Sequence, residues 1–412
     1  MHITTSPDDD DTLPCYANSV EGLHFIGFTK SAATKIYKRW TNRGAGNPDS
    51  LWTYAMVGQV STINIPELKD KSDRQRMTAI GLRQDMQDAI LDPRFERVRR
   101  TKYLQFWIRD TLEINYRELC LRVPEDEETE AEEAAERAGR ASAEARGASD
   151  EGSRGEEVGS AIVRPTMTLV HSGTASSLPP FFVQRCVLRP HPPPVLPGHM
   201  VLYKACAIPT LFQNYEYVLD EDGTVHLLAL ADWDQTGDFH SEGWATYWHS
   251  DAQVAELYRQ YMAMRCRRVA TCVVRILVPY EYFASVRVES LLYDSKRWKD
   301  CVGIRRTMRP REGFEESKDV DVVVGHICTV DYDPYRYERR DAQTALGAGN
   351  LLRLDDGRKA VQWCFKYGRD DVRLLERAVH GKVHFDVFEQ KDRVEESGQE
   401  EMGRYWMRMS WT

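Results

Sequence analysis

The residues best suited to chemistry cluster between Asp238 and Val278. Asp238-Phe239-His240 is followed within a few positions by Tyr247-Trp248-His249. A carboxylate can stabilise positive charge that develops on a substrate. Aromatic faces hold flat rings at low entropy cost. Lys204, next to Tyr203, offers a cation for a phosphate. Arg275 interrupts an otherwise apolar run, and a buried arginine requires an anionic partner. That partner is either a structural Asp or a ligand phosphate, and the Asp is favoured. His240, His249 and His326 lack a carboxylate at matching spacing, so no metal site is expected. Glu281 and Glu289 are the nearest carboxylates after the Arg275 run. Each residue also has a plainer role: core packing for Tyr247 and Trp248, a strand-edge charge for Lys204, and surface positions for the two glutamates.

These residues need a helix and strands to position them. Ser250 or Asp251 can cap a helix by accepting from a first-turn N–H. Val254, Leu257, Tyr258, Tyr261 and Met262 then recur on one helix face. Ala270, Cys272, Val274, Ile276 and Val278 alternate onto one strand face. Tyr247 falls in an aromatic turn before the helix. Further strands are expected at Leu23–Phe28, Val201–Ala205, Val225–Leu230, Asp321–Cys328, Ala360–Phe365 and Lys382–Phe388. Trp298 to Arg306 reads as a short helix or strand. Helices are expected after Thr29 or Ser31, over Arg74–Leu91, over Tyr103–Leu121 and over Asp371–Val379.

The domain order follows from composition. Residues 1–19 are acidic and turn-rich and are expected to be disordered, and residues 20–123 form a mostly helical domain. Residues 124–199 are an acidic, then proline-rich, linker. Residues 200–400 form an α+β domain, and 401–412 are a tail whose Trp406 and Trp411 suit docking. The basic cluster Arg97, Arg99, Arg100 and Lys102 reads as a solvated helix face. The net charge of −9 belongs to one segment: between Glu125 and Glu157 there are thirteen acidic and four basic residues. That pattern gives no support to nucleic-acid binding. No run of eighteen apolar residues and no secretory signal pattern is present, so neither a membrane span nor secretion is expected. Nine cysteines without a Cys-x-x-Cys pair imply buried thiols in a reducing compartment, cytoplasmic or nuclear.

The order of segments in the second half carries a resemblance. Leu202-Tyr203-Lys204 ends a strand, and Asp238-Phe239 precedes Tyr247. Tyr247 opens a Tyr-x-x-Ser-Asp-x-x-x-Ala-Glu run. Trp298 is followed by Arg305 and Arg306, and then comes Asp321-Val-Val-Val-Gly325. Across residues 200–330 this resembles the ADP-ribosyltransferase fold, in its divergent fungal and microbial members. The resemblance implies two small sheets with NAD, as substrate, in the cleft between them. Tyr203, Lys204, Asp238 and Tyr247 would hold the NAD, with Tyr247 stacking on nicotinamide. Glu281 or Glu289 would be the nearest replacement for a catalytic glutamate beside Tyr247. The family's His-Gly-Thr is replaced by Lys204-Ala205-Cys206, and no late glutamate falls at the matching position. The resemblance therefore implies a degenerate domain that binds or scaffolds a protein partner. An NAD-consuming ADP-ribosyltransferase or NAD glycohydrolase is the alternative.

Overall fold

A computed structural model describes residues 12–43, 50–126, 168–171, 187–189, 194–213, 216–217, 226–231, 237–240, 244–306, 308–315, 319–330, 340–367 and 371–388. The expectations for residues 1–11, for most of the acidic linker and for the tail with Trp406 and Trp411 lie outside these residues. Two compact units divide the chain. The first holds residues 1–91 and 104–164, and the second holds 92–103 and 165–412.

The described elements of the first unit are helical. They are α1 (Val20–Ile26), α2 (Lys30–Thr41), α3 (Leu51–Tyr54), α4 (Asp73–Ala79) and α5 (Gln84–Ile90), with short π and 3-10 turns after α3. The helix α6 (Glu96–Arg99) belongs to the second unit, and α7 (Leu104–Cys120) returns to the first. Leu23 to Ile26 lie in a helix and not in a strand, because Ser19 accepts from the Gly22 N–H and starts α1. Thr29 caps α2 in the same way. The continuous helix expected over Arg74–Leu91 is broken at Gly81, whose φ is +84°. A Cβ there would sit 2.3 Å from the Ala32 Cβ, so the turn needs a glycine both for its backbone angle and for the close approach.

The second unit is built on one sheet. Its strands are β1 (Thr168–His171), β2 (Val187–Arg189), β3 (His199–Ala207), β4 (Phe212–Gln213), β5 (Glu216–Tyr217), β6 (Trp244–His249), β7 (Thr271–Pro279), β8 (Val288–Leu291), β9 (Val322–His326), β10 (Val361–Tyr367) and β11 (Val383–Phe388). Nine of them run in the order β2-β1-β11-β7-β3-β6-β10-β9-β8, while β4 and β5 make a separate ribbon. The expectation of two small sheets is therefore corrected to one large mixed sheet. The physical reason is a single joint. Strands β3 and β6 share one register pair, Tyr203↔His249, and that rung makes the sheet continuous. Helices α8 (Ala252–Arg265), α9 (Tyr280–Ser285), α10 (Lys296–Arg305), α11 (Ala342–Ala345) and α12 (Asp371–Val379) complete the unit.

Alternation along the strands gives the sheet two unlike faces. One carries Leu202, Trp248, Cys272, Val274, Ile276, Phe365, Val383 and Phe385, all buried with Leu375 and Val379 of α12. The expected apolar face of β7 is thus met. The other face is lined partly by polar residues, and α8 packs across β3, β7 and β6. Leu227–Leu230 forms a 3-10 turn where a strand was expected. No helix among the described residues is long and apolar enough to cross a membrane.

Candidate functional site

A row of polar side chains crosses the middle of the sheet at its joint. Register pairs His384 with Arg275, Arg275 with Tyr203, Tyr203 with His249, and His249 with Gln362. Directly opposed antiparallel residues share a face, so all five side chains project to the α8 side. Among the described residues the Tyr203–His249 pair of this row is where the two halves of the sheet are joined.

Arg275 is buried and finds the carboxylate expected of it in Asp386, two residues beyond His384. Its Nη2 donates to Oδ1 at 3.3 Å and its Nε lies 3.2 Å from Oδ2. From α8, Glu256 accepts from Arg259 Nε at 2.7 Å, and Arg259 also donates to the Thr271 hydroxyl. Tyr203 is half-buried beside these groups. Burial raises its phenol above the ordinary value, Arg275 lowers it, and Asp386 and Asp251 raise it further. His249 stacks on Tyr258 of α8 with ring centroids 5.3 Å apart. Asp251 caps α8 by accepting from the Gln253 N–H, as one of the two expected caps, and also pairs with Arg358.

Burial pushes Asp386 up to about 6 from 3.8, with Arg275 pulling it back. The folded unit therefore binds a proton, between about pH 6 and 4, that the unfolded chain does not. The contribution of this group to stability grows as pH falls through 6 and is complete below 4. A shift of this size corresponds to at most about 3 kcal/mol. Asp386→Asn is expected to flatten the stability profile over that range. The measurement is urea unfolding at a series of pH values, and an unchanged slope would refute the assignment.

A second polar group sits beside the row. Asp238 is buried and accepts from Arg306 Nη2 at 2.7 Å, from Gln362 Nε2 at 2.8 Å and from the Cys328 N–H at 3.4 Å. Phe239, the next residue, presses onto the sheet at Gly325. A Cβ on Gly325 would come within 2.5 Å of the Phe239 ring, so the close approach needs a glycine.

The residues singled out from the sequence are partly brought together. Tyr203, Asp238 and Tyr247 lie on the polar side of the sheet. Lys204 projects to the opposite face, because it alternates with Tyr203. Tyr247 is on strand β6 and not in a turn, and is only 8% exposed. Its hydroxyl accepts from the Phe239 N–H at 3.0 Å and is hydrogen-bonded to His240 Nδ1 at 2.9 Å. Burial drives its phenol well above the ordinary range. Glu281 is exposed on α9. Glu289 is in the same row as Tyr247 but three strands away, roughly 14 Å at normal strand spacing, and is held by Arg297. His326 Nδ1 accepts from the Tyr293 N–H at 2.8 Å, and burial with nearby Lys359 and Arg353 lowers its pKa. Among the described residues no three His, Cys, Asp or Glu side chains are grouped to hold a metal. Among the described residues eight cysteines are free thiols.

Sequence reading missed His384 and Gln362 as members of the row and Asp386 as the partner of Arg275. A signal was present in Val383-His-Phe-Asp-Val-Phe388, where polar and apolar residues alternate. No family model matches this chain, and neither a curated protein nor a solved structure resembles it.

Proposed function

We propose that the second unit is a binding or scaffolding module for a protein partner, with an ADP-ribosyltransferase-like order of segments but without that chemistry. The observation that carries this reading is the state of Tyr247. Its ring is core and its hydroxyl is already bonded twice, so its face is not presented to a nicotinamide. The charged groups near the joint support the same reading, since Asp238 and Arg306 answer each other, as do Arg275 and Asp386. Buried pairs of this kind hold strands in place and need no ligand.

One observation favours the alternative of NAD turnover. The sheet narrows to a single rung at Tyr203 and His249, and a half-buried tyrosine flanked by Arg275 is a reasonable place for a flat ring and a phosphate. Nicotinamide release from NAD by the purified full chain separates the two. The expected result is release no faster than a protein-free blank, in wild type, Tyr203→Ala and Tyr247→Phe alike. Release by wild type that disappears in Tyr203→Ala would replace the binding reading with an enzyme.

A further inference from the structure

We propose that the outer edge of β8 takes up an extended segment of a partner protein as one more strand of the sheet. The inference rests on the binding-module reading and names the surface that would do the binding. Strand β8 stands last in the sheet and, among the described strands, pairs only with β9. The Arg287 carbonyl accepts from the Val322 N–H at 3.1 Å, so the backbone of Arg287 faces β9. Backbone direction alternates along a strand, so Glu289 and Leu291 also face inward while Val288 and Ser290 turn their N–H and C=O groups outward. The Leu292 carbonyl, next in the outward series, is occupied by the Ser295 N–H. The open edge is thus short and sharply bounded.

Two of the three side chains on this face of β8 and just beyond it, Val288 and Leu292, are apolar, with Ser290 between them, and all three are exposed. Val288 is 43% exposed and Leu292 45%. The row from Ser290 through Val324 and Trp363 to Trp248 shows the gradient across the apolar face. Trp248 is fully buried, whereas Val324 and Trp363 are only half-buried, with Phe283 of α9 bordering Trp363 at 5.1 Å.

The edge itself defines the chemistry of the occupant. A helix satisfies its own backbone and has nothing to offer outward-facing N–H and C=O groups. An extended chain offers complementary groups at strand spacing. Its alternate residues on the Val288 side must be apolar to lie beside Val288 and reach toward Val324, and those on the other side, next to Glu289 and Arg297, must be polar. The occupant is therefore an extended segment of alternating apolar and polar residues.

The test uses the full chain and two fluorescein-labelled heptapeptides, alternating valine with threonine and phenylalanine with threonine. Each is paired with a form N-methylated at alternate positions, which cannot donate to the edge. Saturable anisotropy change with at least one parent peptide is expected. Affinity should fall at least tenfold for its N-methylated form and for Val288→Lys, with slowed amide exchange at Val288–Leu291 in the wild-type complex. Equal binding of the N-methylated peptide, unchanged affinity in Val288→Lys, or no binding of either parent overturns the proposal. So does a dimer in sedimentation that Val288→Lys abolishes, which would make a second copy the occupant. The N-methylated peptides keep the test valid even if the lysine variant folds poorly. Nicotinamide release by the same preparation would remove the binding-module reading while leaving the peptide result to decide the edge by itself.

Discussion

Asp238→Ala is expected to destabilise the second unit by about 3–5 kcal/mol, the usual cost of removing one partner from a buried ion pair. Asp238 is 4% exposed and Arg306 6%. The carboxylate is also the acceptor for Gln362 and for the Cys328 N–H. Removing it takes from the buried Arg306 guanidinium the carboxylate that pairs with it, and from two donors their acceptor. Most of the loss is the penalty for a buried charge deprived of this carboxylate and not the worth of the pair. The double variant Asp238→Leu with Arg306→Met is therefore expected to recover a large part of the stability, because two apolar groups of similar size restore packing and strand no charge, leaving only the Gln362 amide and the Cys328 N–H without this acceptor. Urea unfolding followed by tryptophan fluorescence checks both. A single-variant loss under about 1 kcal/mol, or a double variant no better than the single, would mean that Arg306 does not depend on Asp238 for its charge.

Trp298→Ala should cost a similar amount, about 3–5 kcal/mol. Trp298 is fully buried on α10, stands edge-on to Tyr293 at 5.5 Å, and donates its indole N–H to the His326 carbonyl at 3.0 Å. Truncation opens a cavity between α10 and β9 and removes that donor. Trp298→Phe keeps most of the volume and should lose only about 1–3 kcal/mol, the cost of an unsatisfied buried carbonyl. A tryptophan poised for a ligand would behave differently, since its removal would leave unfolding nearly unchanged. Thermal or urea unfolding of the two variants decides between these roles. Equal losses in Trp298→Ala and Trp298→Phe would show that the hydrogen bond, and not the ring volume, is what matters.

Several elements could be read from the chain because their causes are local. Thr29 starts its helix by accepting one backbone hydrogen bond. The alternation of Cys272, Val274, Ile276 and Val278 needs only the two-residue period of a strand to place them together on the apolar face. Arg275, as a charge in an apolar strand, required a carboxylate whatever the fold. Leu23–Phe28 misled because a short apolar run fits either period, and the deciding hydrogen bond comes from Ser19 outside it. Tyr247 misled because its neighbours Trp248 and His249 are aromatic on both faces, which hides the alternation of a strand buried on each side.

By itself the sequence determined the caps, the strand periods, the need for a counter-ion at Arg275 and the segregation of negative charge between Glu125 and Glu157. The tertiary structure alone decided which carboxylate answers Arg275, that Arg306 belongs to Asp238, that Tyr247 is core while Tyr203 lies at the joint, and that β8 stands last among the described strands of the sheet. The division has a physical cause. Caps and periods are set by residues a few positions apart. Partners such as Arg275 and Asp386 are more than a hundred positions apart, and strand order and register, which are properties of the whole packed sheet, bring them together.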